Sequence, residues 1–374
     1  MKSKWPSFAV LILAVILLSE PDHARAEGNP FQDPLDTPAI QEFGARGITQ
    51  QSFMAITQAG KRLIAVGLRG LVVFSDDSGR SWQQARVPVQ TDLVAVQFVT
   101  SRQGWASGHD AVILHTEDSG ATWTKQFDNR LAAVVLPAYY QRKIAAGDTS
   151  MEPFLKQVEL NTQGDTSLPF LGIHFTDLEH GIAVGSFGMI VATSDGGRHW
   201  LPWLDRINDK EFLNLNVIRK IGNDLVIAGE QGGVYRYDDN TGSFVAVPAP
   251  YKGSFFDIVG TDSFMLAVGL RGTIYRSEDR GKTWQHIDTP VKDTVTAATL
   301  RGGSDGIVLV TAGGALAVSN DRGVTFRADE PSHPMLFTAV SVLGADRLVL
   351  TGLQGIGVEQ LTMRHASVSH EVSQ

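Results

Sequence analysis

Short runs of alternating apolar and polar residues recur along the chain and are separated by glycine-rich turns. FMAITQ (53–58) and LVAVQF (93–98) are two such runs. Alternation with a period of two, rich in β-branched and aromatic residues, predicts strands with one buried face. A second kind of run is made of small apolar residues and ends in glycine, as in LIAVG (63–67) and MLAVG (265–269). The pattern therefore predicts an antiparallel, all-β fold.

A nearly constant turn follows the third predicted strand of each unit. It reads SDDSGRSW (75–82), TEDSGATW (116–123), TSDGGRHW (193–200), SEDRGKTW (277–284) and SNDRGVTF (319–326), and it is decayed to YDDNTGSF at 237–244. The aromatic residues that end these turns are separated by 41, 77, 44, 40 and 42 residues. A period near 40 residues without a helical pattern is typical of propeller blades of four strands.

Six complete units and one incomplete unit can be counted. They lie at about 52–88, 90–127, 168–203, 212–250, 254–290, 294–331 and 335–361. We predict a seven-bladed β-propeller, with six or eight blades left open at this point. The last unit lacks an aromatic-led fourth strand, which we expect residues 27–50 to supply, because this would close the ring without an exposed edge.

Residues 128–167 form an insertion between the second and third units. Leu131–Ala146 is rich in helix formers and Gly147 is a plausible stop. Thr149 and Glu152 fit a capping box ahead of a second, short helix. We predict a helical hairpin that caps the mouth of the central channel.

The repeated turn is predicted to be a structural clasp. Its Asp accepts backbone N–H groups, its Gly supplies a positive φ, and its aromatic residue buries a ring. Calcium binding is an alternative, but the turn offers too few oxygen ligands. A catalytic carboxylate would not be needed five times. The predicted clasp residues are Asp77, Gly79, Trp82, Asp118, Gly120, Trp123, Asp195, Gly197, Trp200, Asp279, Gly281, Trp284, Asp321, Gly323 and Phe326.

These turns resemble Asp-boxes, also called BNR repeats, and AVG-x-x-G or a variant precedes them. Together with an export signal, the pattern resembles the photosystem II stability/assembly factor family of exported or lumenal seven-bladed propellers. The resemblance covers about residues 50–360. It implies a non-catalytic scaffold that binds a membrane-protein subunit, with no cofactor and no metal. In a non-photosynthetic host, the partner would be an exporter or another envelope complex.

The partner-binding surface is expected on the face opposite the Asp-boxes, where loops on a rigid scaffold carry function. The predicted binding residues are Arg69, His109, Asp110, Phe187, Gln231 and Arg271, with Tyr139, Tyr140 and Arg142 of the insertion. The family is associated with an arginine-rich patch, and only Arg69 and Arg271 match it at this repeat position. Two alternatives stay open: the loop residues are simply solvated, and the insertion aromatics simply pack the hairpin onto the blades.

A sialidase-like glycoside hydrolase is the alternative function, because sialidases also carry Asp-boxes. Such a site needs three converging arginines, of which Arg69 and Arg271 would be two. Sialidases usually have an R-I-P-like string near the first blade, and ARGI (45–48) is a poor match to it. We therefore do not expect an enzyme.

The N-terminus has the pattern of a secretory signal. Lys2 and Lys4 precede an apolar run of eleven residues (8–18), and Ala24 and Ala26 suit cleavage after Ala26. We expect a periplasmic protein with one propeller domain, 27–361, and a disordered polar tail, 362–374. The chain has no cysteine, so we expect neither disulfides nor a lipid anchor on cysteine.

The net charge of −8 and the absence of a long basic run argue against a nucleic-acid partner. We expect a monomer.

Overall fold

A computed structural model of the chain describes residues 32–361, except 42, 44–46, 164–167, 208, 210, 304 and 345. The chain divides into two units, 1–33 and 34–374, and only residues 32 and 33 of the first are described. The predicted signal peptide and the polar tail lie outside the described residues. None of the described helices is long and apolar enough to cross a membrane.

Seven antiparallel sheets follow one another along the chain, and each has its strands in sequence order. Blades 1 to 3 contain β1 (Phe53–Ala59), β2 (Arg62–Gly67), β3 (Val72–Ser75), β4 (Gln83–Gln84), β5 (Leu93–Phe98), β6 (Gly104–Gly108), β7 (Ile113–Thr116), β8 (Thr124–Phe127), β9 (Phe170–Phe175), β10 (Gly181–Gly185), β11 (Ile190–Thr193) and β12 (Leu201–Pro202). Blades 4 to 7 contain β13 (Leu215–Ile221), β14 (Asp224–Gly229), β15 (Val234–Asp238), β16 (Ser243–Ala246), β17 (Phe255–Thr261), β18 (Phe264–Gly269), β19 (Ile274–Ser277), β20 (Gln285–His286), β21 (Val295–Arg301), β22 (Gly306–Thr311), β23 (Leu316–Ser319), β24 (Arg327–Asp329), β25 (Phe337–Leu343), β26 (Arg347–Gly352) and β27 (Gly355–Gln360). The predicted seven-bladed β-propeller is confirmed.

The first strand of every blade lines the central channel, a cavity of about 660 Å³. The second strand lies behind it, and where it ends in glycine, the residue just before the first strand of the same blade leaves no room for a side chain. A Cβ at Gly67 would lie 2.1 Å from the carbonyl oxygen of Ser52, and one at Gly269 would lie 2.0 Å from that of Ser254. These glycines are therefore required by close packing within one blade.

Blade 7 has three strands among the described residues, and it closes the ring by packing against blade 1. Thr338 Oγ1 donates to the carbonyl oxygen of Phe53 at 2.7 Å, and Gln58 Nε2 donates to that of Val342 at 2.8 Å. The described part of the segment 27–50 adds no strand to blade 7. The predicted fourth strand is thus wrong for these residues. Residues 34–41 run beside blade 1, where Ala39 N–H donates to the carbonyl oxygen of Val87 at 3.0 Å, and a 3-10 turn (Ile48–Gln50) contacts β27 of blade 7 without pairing with it.

The insertion forms the predicted helical hairpin, with α1 (Asn129–Ala145) and α2 (Glu152–Thr162). Asp128 caps α1 by accepting the N–H of Leu131, and Gly147 ends it with a φ of 101°. The predicted capping box is wrong, because α2 begins after a 3-10 turn (Thr149–Met151) and has no side-chain cap.

The hairpin packs on blade 3, and none of its described residues lines the channel; a cap over the channel mouth stays a prediction.

Candidate functional site

The loops between the second and third strands have one shared backbone in blades 1 to 5. In each, a non-glycine residue adopts the left-handed conformation, with φ between 52° and 56°. These residues are Arg69, Asp110, Phe187, Gln231 and Arg271. Blades 6 and 7 differ, because Gly313 and Gln354 at the aligned positions are not left-handed.

Main-chain hydrogen bonds hold these loops. In blade 1, Gly67 N–H donates to the carbonyl oxygen of Leu71 at 2.8 Å, and Leu71 N–H donates back to that of Leu68 at 3.1 Å. The equivalent pair of bonds recurs in blades 2 to 5. Because the backbone supplies its own partners, the side chain at the left-handed position is not needed to keep the loop folded.

The loops share one face with the connections between blades. Arg69 N–H donates to Asp92 Oδ1 at 2.8 Å, and Phe187 N–H donates to Asn214 Oδ1 at 2.8 Å. Asp92 precedes blade 2 and Asn214 precedes blade 4, so each loop is anchored to the entry of the following blade.

The predicted binding side chains differ in exposure. Arg69, Gln231 and Arg271 are exposed, and Phe187 is 54% exposed, which is unusual for a phenylalanine. Asp110 is half-buried and accepts a hydrogen bond from Thr91 Oγ1 at 2.5 Å.

His109, predicted with them, is also half-buried; its N–H donates to the carbonyl oxygen of Asp92 at 2.9 Å. The exposed side chains therefore come from blades 1, 3, 4 and 5, and of these Gln231 Nε2 donates to Glu211 Oε2 at 3.3 Å.

Tyr140 of the hairpin is fully buried, which corrects its prediction as a contact residue. Its hydroxyl donates to Asp205 Oδ1 at 2.9 Å, and Lys143 Nζ contacts Asp205 Oδ2 at 3.1 Å. Burial and the neighbouring Asp205 carboxylate raise the pKa of the Tyr140 hydroxyl. Tyr139 is half-buried, with Lys143 Nζ 4.8 Å from its ring centre, whereas Arg142 is exposed.

The hairpin is joined to the loop face at blade 3. Asn161 of α2 is buried, and its Nδ2 donates to the carbonyl oxygen of Phe187 at 3.1 Å. Asp205 and Asn161 were not predicted, because neither belongs to a repeated motif. This bond to the main chain of Phe187 places the blade 3 loop beside α2. The hairpin therefore forms one border of the loop face.

The Asp-box turns lie on the other face and satisfy their own polar groups. Asp279 accepts the hydroxyl of Ser277 at 2.8 Å, and the N–H and hydroxyl of Thr283 at 2.8 and 2.6 Å. Equivalent bonds surround the Asp of the other four boxes, Asp77, Asp118, Asp195 and Asp321. The Trp284 indole donates to the carbonyl oxygen of Val247, in the preceding blade, at 2.9 Å.

The box glycines have the predicted positive φ, between 76° and 86°. Among the described residues, no group of three or more His, Asp or Glu side chains is arranged to hold a metal ion.

The comparison with protein families shows which family the chain belongs to. A family model described as "Photosynthesis system II assembly factor YCF48" matches residues 50–136 and 148–335, more than half of the chain. The chain belongs to this family. The predicted resemblance to photosystem II assembly factors is thus confirmed, and the family is described as an assembly factor.

Individual relatives agree with the family match. The photosystem II assembly lipoprotein Ycf48 of Synechococcus sp. (strain CC9902) is 31% identical over 162 residues, which is 42% of this chain and 46% of the relative. The chain thus spans about half the length of this relative.

Two solved structures share the fold. "YCF48 bound to D1 peptide" has a TM-score of 0.61 at 16% identity and covers 84% of this chain and 94% of that chain. YCF48 from Cyanidioschyzon merolae has a TM-score of 0.57 at 13% identity, covering 87% and 99% respectively. At sequence identities this low, the structural similarity shows that the fold is shared and nothing more.

Proposed function

We propose that this protein is a non-catalytic periplasmic scaffold that acts as an assembly or stability factor for a membrane-protein complex. Its docking surface is the loop face, formed by Arg69, Phe187, Gln231 and Arg271 with Arg142 at the border of the hairpin. Membership of the YCF48 family supports the class of function. A hydrolase is not proposed, because the family is described as an assembly factor.

One observation carries the choice of surface. Five loops have the same backbone and hold it by main-chain hydrogen bonds, yet the side chain at the left-handed position varies: it is Arg in blades 1 and 5, Asp in blade 2, Phe in blade 3 and Gln in blade 4. A non-glycine residue in this conformation costs about 1 kcal/mol. Glycine would avoid that cost, and the exposed side chains at these positions make no contact that the loop needs, which supports a role for them outside the fold. Recognition of a partner is the role that suits exposed residues on a rigid scaffold.

The chemistry of the surface indicates an extended segment with both acidic and apolar groups. Arg69 and Arg271 offer guanidinium groups that bind carboxylates in a bidentate way. Leu68 and Leu270 beside them are 36% and 37% exposed. One neighbour in the fold comparison is a YCF48 bound to a D1 peptide, which supports a peptide segment of a membrane-protein subunit as the partner.

The remaining expectations complete the proposal. The signal pattern in residues 1–26 supports an exported protein with cleavage after Ala26, and we propose that it is a monomer. Absence of the mature protein from the osmotic-shock fraction, which contains periplasmic proteins, would contradict a periplasmic location.

Capture of the partner from detergent-solubilised membranes of the native host tests the proposal. The variant Arg69→Glu/Arg271→Glu should capture at least about 10-fold less of the membrane subunit than the wild type, because two favourable charge contacts become repulsive. The matched control is Arg80→Glu/Arg198→Glu, which makes the same charge change in two exposed Asp-box turns. Equal capture by both variants would refute the loop face, and capture of no membrane protein by the wild type would refute the function.

A further inference from the structure

The interface between blades 3 and 4 differs from its neighbours on the Asp-box face. At the interfaces that precede blades 1, 2, 3, 5 and 6, the Asp-box of one blade lies against side chains of the blade before it. A Cβ at Gly120 would lie 2.9 Å from Ile64 Cδ1, and one at Gly323 would lie 2.9 Å from Leu266 Cδ1. The backbone of the Asp-box in blades 2 and 6 therefore packs directly on side chains of the preceding blade.

Blade 4 has no Asp-box that could cover the side chains of blade 3. Its turn is a simple hairpin in which Gly242 N–H donates to the carbonyl oxygen of Asp238 at 2.8 Å. The carbonyl oxygen of Gly242 accepts from Arg206 Nη1 at 3.3 Å, so the turn lies near the connection that leaves blade 3. The decayed sequence YDDNTGSF (237–244) thus has a direct structural consequence.

The column of blade 3 that would be covered is Ile182, Ala192 and Leu201, which pair across β10, β11 and β12. It matches the column in blade 1 that includes Ile64. In blade 3 the column lines a cavity of about 560 Å³, and Leu201 is 45% exposed.

Trp203 and Tyr237 complete an apolar wall of this cavity; their rings are parallel, with centres 6.1 Å apart. The volume is within the range of small-molecule sites, roughly 300–1,000 Å³.

The cavity is lined by three carboxylates, those of Asp195, Asp224 and Asp239, and by one cationic side chain, at its channel end, that can bind an anion. Lys220 is the one Lys or Arg among the described residues that line it. Two of the lining carboxylates are already engaged, because Asp195 is held inside its Asp-box and Asp224 is paired with Arg280. His174 also lines the cavity, but burial lowers its pKa to about 4, so it is neutral at pH 7.

We propose that this crevice binds a small apolar carboxylate. The carboxylate lies at Lys220, which lines both the crevice and the central channel, and the hydrocarbon body lies against Leu201 and Trp203. Asp239, exposed in the hairpin turn, disfavours the reverse orientation. The site is on the face opposite the proposed docking surface and does not depend on the proposed function.

Titration calorimetry with 2-naphthoate tests the proposal on the full mature chain. Wild-type protein should bind it at one site, and 2-naphthamide, which has no charge, should bind about 3- to 5-fold more weakly. Lys220→Gln should reduce the affinity for 2-naphthoate by the same factor and leave that for 2-naphthamide unchanged. Leu201→Glu should reduce it by at least about 10-fold, because it places a carboxylate in the apolar wall.

Two controls match these variants. Val245→Glu changes the residue that follows the aromatic position in blade 4, as Leu201 does in blade 3, and Val245 is 38% exposed. Lys282→Gln removes an exposed lysine from the Asp-box of blade 5. Both should bind 2-naphthoate as the wild type does.

No binding by the wild type, or binding that Leu201→Glu leaves intact, would overturn the proposal. If Leu201→Glu fails to fold in a thermal melt, equal affinity of Lys220→Gln and wild type for 2-naphthoate would overturn it.

Discussion

The Asp-box turn and the loop between the second and third strands have nearly the same backbone and use their side chains in opposite ways. In blade 5, Arg280 and Gly281 of the box are consecutive left-handed residues, with φ of 61° and 84°. Arg271 and Gly272 of the loop are also consecutive left-handed residues, with φ of 56° and 69°. The two turns lie on opposite faces of the same sheet.

What differs is the source of the hydrogen bonds. In the box, the Asp279 side chain accepts the N–H and hydroxyl of Thr283. In the loop, Thr273 N–H donates to the carbonyl oxygen of Leu270 at 3.1 Å, and the Arg271 side chain has no hydrogen bond or ion pair with any described residue. A turn held by side chains needs the same residues in every blade, whereas a turn held by its main chain leaves its side chains available to a partner.

The largest expected effect concerns the box glycine. A Cβ at Gly281 would lie 2.8 Å from Val247 Cγ2 at a φ of 84°, so Gly281→Ala combines a clash with backbone strain. We expect a loss of about 2–4 kcal/mol in the free energy of unfolding by urea. Gly302→Ala is the matched control, because Gly302 has a φ of 60° and nothing within 4 Å. It should lose only about 1 kcal/mol, and equal losses would contradict interblade packing by the box.

The hairpin offers the same contrast within one helix. Tyr140→Phe removes the hydroxyl that donates to Asp205 and leaves one oxygen of this half-buried carboxylate without that partner. We expect a loss of about 1–2 kcal/mol in urea unfolding. Arg142→Ala, at an exposed position two residues later, should change stability by less than about 0.5 kcal/mol. A larger effect of Arg142→Ala would show that the exposed side of α1 is also used for packing.

A smaller effect is expected from acid. The hydroxyl and N–H of Thr283 lower the pKa of Asp279 to about 2, from an ordinary 3.8, and those of Ser81 do the same for Asp77. A carboxyl with a lowered folded-state pKa stabilises the fold above pH ~4 and loses that contribution as the pH falls toward ~2. The melting temperature should therefore fall between pH 4 and 2, less steeply in Asp279→Asn. Parallel curves for variant and wild type would contradict the clasp.

The repeat could be predicted from the sequence because each blade is locally determined. Alternation, the period near 40 residues and the Asp-box glycines each reflect contacts within one blade or with the next. The left-handed conformation of Arg280, just before the box glycine, was not predicted, because its residue type does not favour it. The side-chain bonds of the whole turn enforce it.

Features that depend on non-repeated packing could not be predicted. The sequence of α1 places Tyr139 and Tyr140 side by side, and nothing in it indicates that Tyr140 points at Asp205 of the blade 3 connection. The course of the segment 34–41 along blade 1 also lacked a signal, because it depends on main-chain bonds such as that of Ala39. The exposure of Arg69, Phe187, Gln231 and Arg271 could thus be predicted from the loop pattern, whereas the burial of Tyr140 could not.

In this division of roles, the loop side chains bind the partner and the Asp-box side chains stabilise the fold. The sharpest test measures the stability of Arg271→Gly and Asp279→Ala and the affinity of each variant for the purified partner segment. Arg271→Gly relieves a left-handed residue, so its free energy of unfolding should stay level or rise by up to about 1 kcal/mol, while its affinity for the partner falls at least about 5-fold. Asp279→Ala should melt at a lower temperature than the wild type and bind the partner with unchanged affinity. The reverse pattern, with binding lost in Asp279→Ala and retained in Arg271→Gly, would contradict the account.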